Sequence, residues 1–83
     1  MDDETMQLLK AMREQLGKTS ASRTVDALAA ANTLGLEGRS LDFDRRLQDL
    51  VVAEYLEEPA NPALMAQGKY LITFEGLAAA DNY

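Results

Sequence analysis

Residues 70–76 read Tyr70-Leu71-Ile72-Thr73-Phe74-Glu75-Gly76. Tyr70, Ile72 and Phe74 alternate with Leu71 and Thr73, the period of two that sends successive side chains to opposite faces of a strand. Thr73 can also accept a bond from free N–H groups ahead of it, so the stretch predicts a strand that passes into a short last helix over Phe74 to Ala80, with Leu77 and the alanines packing back on the core. An isolated strand needs a partner. Tyr55 and Leu56, ahead of Pro59, supply the nearest one, and the two segments together predict a hairpin. About a dozen residues join them, long for a hairpin. In that connection Asn61, Pro62 and Gly68 take cap, first-turn and terminating positions of a single helical turn over Ala63 to Gln67, which presents Leu64 and Met65 together.

Upstream the periodicity is helical. From Glu4 to Leu16, Thr5, Leu8, Leu9, Met12 and Leu16 follow the i, i+3, i+4, i+7, i+11 series, with Lys10, Arg13 and Glu14 on the other side. Asp2, Asp3 and Glu4 suit its positive dipole end, and Gly17 with Lys18 suits its termination. Ser22 or Thr24 can cap a second helix that runs from Val25 through the alanines 29–31 to Gly35, with Val25, Leu28 and Ala29 on one side. Ser40 or Asp42 can cap a third, with Phe43, Leu47, Leu50 and Val51 as its buried stripe. Its opposite face then carries Leu41, Arg45, Gln48, Asp49 and Val52. Such a helical layer would stabilise a hairpin too small to stand alone. A plain helical bundle is the competing fold, and it requires 70–74 to be extended without a strand partner.

Composition narrows the function classes. With 83 residues, 47% of them hydrophobic, the chain admits one core, and we expect a single domain over 1–83. It contains no Cys and no His, which removes disulfides, thiolate nucleophiles, the commonest general acid/base and the commonest transition-metal ligand. A non-catalytic protein without cofactors is expected. The start is acidic where a signal peptide would be basic, and no apolar run approaches the roughly 18 residues of a membrane span, so the expected location is cytoplasmic, with no membrane partner. Eight basic against fourteen acidic residues give a formal charge of -6, a balance that repels phosphate backbones at long range.

Three helices, a two-stranded hairpin and a short terminal helix form an order that resembles the winged helix-turn-helix domains of bacterial and phage regulators. Residues 70–76 resemble the Tyr-x-Leu-Thr-x-x-Gly pattern that closes the wing in many of them, with Ile72 in the leucine place. RLQDLVVAEYL, Arg46 to Leu56, looks like a recognition helix and its turn into the first wing strand, although Glu54 stands where a glycine commonly turns the chain. The resemblance implies an α+β fold and a DNA-binding transcriptional regulator. Arg45, Arg46, Gln48 and Ser40 would then meet base edges or offer polar contacts, and Arg39 and Lys69 would hold phosphates.

Charge placement opens an alternative. Asp42 precedes Arg46 by four residues and Arg45 precedes Asp49 by four, so each arginine has a carboxylate one turn away. Leu41, Val52, Leu64 and Met65 would, if they cluster, form a protein interface or homodimer seam of an acidic interaction module that binds no nucleic acid. Two further motifs reduce to structure. Gly17-Lys18-Thr19-Ser20 imitates the end of a phosphate-binding loop, but Met12 stands where that loop needs glycine, so a helix terminus explains it. Asp2 with Asp3, and Glu57 with Glu58, lack the spaced oxygens of a calcium loop and are expected to be solvated; adjacent residues diverge and no pocket signal accompanies either pair, so neither makes a hydrolytic pair.

Overall fold

The computed structural model describes residues 1–17 and 22–83. Lys18, Thr19 and Ser20 of the loop-like motif lie outside the described residues. Helix α1 spans Asp3–Glu14 with Asp2 as its cap, and Thr5, Leu8, Leu9 and Met12 are its buried residues. That is the stripe expected from the sequence, with Leu16 half-buried beyond its end. Strand β1, Thr24–Asp26, comes next, then helix α2, Ala27–Thr33. Helix α3 spans Leu41–Val52, capped by Ser40 through the Phe43 N–H. Strand β2 is Leu56–Glu57, helix α4 is Pro62–Ala66 behind an Asn61 cap, β3 is Lys69–Ile72 and helix α5 is Phe74–Asp81. The described residues thus form an α+β fold of five helices and one antiparallel sheet in the order β1-β3-β2.

The expected two-stranded hairpin is therefore three-stranded. Val25 was expected on a helix face; instead Thr24, Val25 and Asp26 pair with Leu71, Tyr70 and Lys69. Two physical features override the helical reading. Thr24 and Val25 are β-branched, and the cap of α2 is Asp26, not Ser22 or Thr24, because its carboxylate accepts from the Ala29 N–H at 3.0 Å. The start of the helix moves on by two residues, from Val25 to Ala27, and its buried face becomes Ala27, Ala30 and Ala31. The outer edge of β1 is covered from α1, whose Gln15 amide donates to the Asp26 carbonyl and accepts from its N–H at 2.8 and 2.7 Å.

β2 pairs with β3 through Leu56 opposite Ile72 and Glu57 opposite Leu71. Between α1, the sheet and α3 lies the core: Leu8, Leu9, Met12, Val25, Phe43, Leu47, Leu50, Leu56 and Ile72, with the small residues of α2 and Ala80 closing it. An ion pair of 3.1 Å between Arg13 and Asp81 ties α1 to α5. No helix among the described residues is long and apolar enough to cross a membrane.

Residues 70–76 owe their local structure to one junction. Thr73 donates to the Glu54 carbonyl at 2.6 Å and accepts from the Gly76 N–H at 2.9 Å, so one hydroxyl caps α5 and fastens it to the turn that ends α3. Its backbone N–H donates to the Tyr55 carbonyl at 3.0 Å. Gly76 is required by approach: a Cβ there would overlap the Tyr55 carbonyl oxygen and press on Ile72. The turn itself is left-handed. Tyr55 N–H reaches back to Leu50 and Glu54 N–H to Val51, a Schellman closure with Glu54 at φ 66°, the position that favours glycine.

Candidate interaction surface

Helix α3 has two arginines in sequence and gives them opposite environments. Arg46 is three residues after Phe43 and four before Leu50, so it faces inward, and the residue is only 8% exposed. Its guanidinium donates to four oxygens: Asp42 at 2.9 Å, Asp2 at 2.7 Å, Thr5 at 2.9 Å and Glu4 at 2.8 Å. The acidic start of α1 is thus more than a dipole effect; it closes around a cation from α3. Asp2 also accepts from the Thr5 N–H. Hydrogen bonding by Thr5, side chain and backbone, and then the Arg46 charge hold the Asp2 carboxyl down at about 2. The Asp42 carboxyl is lowered as well, by bonds from Arg45 and Arg46, and the Arg46 pKa is raised in turn, chiefly by Asp42. Arg46 was expected to read DNA; its bonds are spent inside the molecule, which withdraws it from the outer surface.

The outer stripe is Leu41, Arg45, Gln48 and Val52, at i, i+4, i+7 and i+11, and all four are exposed. Leu41 is 89% and Val52 72% exposed, so neither the turn before α3 nor the segment after it overhangs the helix. Arg45 bonds Asp42 at 3.0 Å and not Asp49, which corrects the second expected i, i+4 pair. Asp49 is exposed on the flank of the same stripe. Ser40 is occupied by capping: its hydroxyl donates to the Glu37 carbonyl at 2.9 Å and accepts from the Phe43 N–H.

The remaining expected residues lie elsewhere. Arg39, exposed and at φ 62° in the turn between α2 and α3, donates to the Ala66 carbonyl at 2.9 Å. Lys69 pairs with Asp26 at 3.1 Å across the β1–β3 register. Burial pushes the Asp26 carboxyl up, but the Ala29 N–H and Lys69 outweigh it, so its pKa falls below the ordinary value. Both cations therefore brace the α4 connection and the sheet. Leu64 and Met65 are half-buried in α4, whereas Leu41 and Val52 stand free on α3, so the four expected apolar residues divide into two environments.

Two surface features escaped the sequence. Glu54, Glu57, Glu58 and Glu75 line an open concavity of about 540 Å³ with Val51, Leu56 and Thr73. Nothing in the sequence links Glu57 and Glu58 to a pocket; the β2–β3 pairing and the α5 cap bring Glu54 and Glu75 to the same hollow. Only the density of glutamates at 54, 57 and 58 hinted at it. No group of three or more acidic residues among the described ones is arranged to hold a metal ion. The second feature is Phe74, 72% exposed, with the Arg23 guanidinium 4.9 Å from its ring centroid. No protein-family model, curated protein or solved structure matches the chain.

Proposed function

We propose that this chain is a cytoplasmic, non-catalytic winged helix-turn-helix domain whose α3 face engages protein and not nucleic acid. The fold reading is supported by the succession of α2 and α3, joined by the seven residues 34–40, with the β2–β3 hairpin following α3. The functional reading rests on one observation: α3 turns its better-anchored arginine inward to three carboxylates and leaves Leu41 and Val52 at the ends of its outer stripe. A surface that grips phosphates needs several uncommitted cations. Here Arg46 and Lys69 are paired, Arg39 is bonded to a backbone carbonyl, and four glutamates line the hollow beyond the C-terminal end of α3. A net charge of -6 adds long-range repulsion.

Titrating the domain with mixed-sequence duplex DNA at low salt, with backbone amide shifts as readout, tests this. Expected are unchanged shifts across Ser40 to Val52. Salt-dependent movement of those amides overturns the reading and favours a DNA-binding regulator, which the exposure of Arg39, Arg45 and Gln48 would support. In that case Arg45→Ala would weaken binding and Arg46→Ala would act only through stability.

A further inference from the structure

Resting on the protein-binding reading, we infer that the partner of α3 is a second copy of this chain, docked antiparallel about a two-fold axis that passes beside the outer stripe, level with the step from Arg46 to Leu47. The spacing of Leu41, Arg45, Gln48 and Val52 is four, three and four residues, the seam spacing of a coiled coil, over a stripe about 16 Å long. Reversed, the stripe is its own complement. Leu41 of one copy falls opposite Val52 of the other, and Arg45 opposite Gln48, twice over. The arrangement gives each exposed apolar residue of the stripe an apolar neighbour and leaves neither of them facing a charge.

Charge fits the same register. At 100° per residue Arg45 and Asp49 lie on one flank of the stripe, and antiparallel packing brings like flanks together. Arg45 of one copy then lies about one residue's rise from the level of Asp49 of the other. Within a chain Arg45 bonds Asp42 instead, at the surface, where such a pair holds weakly, so Asp49 is available to the second copy. The opposite flank carries Asp44, which the axis brings toward its own copy. That repulsion and the size of a single helix face, below the roughly 1,600 Å² of standard interfaces, make the dimer a weak and reversible one.

The test is sedimentation equilibrium of the full chain from roughly 10 µM to 1 mM, the range in which small interfaces associate. Expected is a concentration-dependent monomer–dimer equilibrium. Leu41→Asp with Val52→Asp should raise the dissociation constant by about tenfold or more while leaving the thermal midpoint of the monomer in place, since neither side chain is in the core. Arg45→Asp and Asp49→Arg should each weaken the dimer, and the two together should restore it. A monomer throughout the range overturns the inference but leaves the protein-binding reading standing, which fails only if DNA moves the α3 amides. A dimer indifferent to all four substitutions also overturns it, because the copies then meet on another face.

Discussion

The inward and outward sides of α3 contain the same kinds of residue and use them differently. Inward, one arginine, Arg46, is held by four oxygens from two helices, and the turn that ends the helix is clamped by Thr73 and abutted by Gly76. Outward, Arg45 has a single carboxylate and solvent, and two aliphatic side chains, Leu41 and Val52, are left mostly exposed. A charged group's role is set by how many partners the fold brings to it, not by its type. The inward side is where substitution should be felt as stability, and the outward side is where it should be felt as association.

The largest loss is expected at the clamp. Gly76→Ala would drive a Cβ into the Tyr55 carbonyl, a backbone group that cannot swing aside, and press it on the fully buried Ile72 side chain. We expect a loss of about 3 kcal/mol or more, at the upper end of overpacking effects, read as a fall in urea midpoint. If Gly76→Ala unfolds no earlier than the parent chain, α5 is not seated on the end of α3, and the inward side is held less firmly than its bonds imply.

Next comes the contrast between the two arginines. Arg46→Leu removes charge-assisted bonds from a nearly buried site and should cost about 1–3 kcal/mol, whereas Arg45→Leu should fall within about 0.5 kcal/mol of the parent. The same cluster sets an acid limit. Asp2 and Asp42 have folded pKa values below their ordinary 3.8, Asp2 at about 2, so their contribution is fully present above pH 4 and is lost as pH falls toward 2. Thermal midpoints measured down that range should drop more steeply in the parent chain than in Arg46→Leu. Parallel curves would mean that the carboxylates do not depend on Arg46.

What could be read in advance follows how local the cause is. The stripe of α1, the Ser40 cap, the α4 turn behind Asn61 and the Thr73 cap each depend on residues within four positions, and they were legible. The strand at Thr24 to Asp26 was not, because its three residues are held by Leu71, Tyr70 and Lys69, nearly fifty positions on, and by Gln15 from behind. Arg46 was half-legible: its place on the inward stripe could be counted from Phe43 and Leu50, but that Asp2 and Glu4 would meet it depended on how α1 lies across α3. The hollow lined by Glu54, Glu57, Glu58 and Glu75 exists only once β2 and β3 pair.

A gain smaller than the losses at Gly76 and Arg46 is expected where the two sides meet. Glu54 ends α3 at φ 66° and lines the acidic hollow, so it combines a backbone cost with a charge cost, and the two can be separated. Glu54→Gly relieves both; Glu54→Gln keeps the left-handed backbone and removes only the carboxylate. The backbone part is worth about 1 kcal/mol and does not depend on salt, so Glu54→Gly should raise the thermal midpoint by roughly 4–8 °C and keep most of that gain in 1 M NaCl. Repulsion among exposed glutamates is screened over about 3 Å at that ionic strength, so any gain from Glu54→Gln should vanish there. If the glycine gain vanishes with salt as well, charge and not φ is the burden at residue 54. If neither variant gains, the Schellman turn is held so firmly by Leu50, Val51 and Thr73 that its conformation costs the fold nothing measurable.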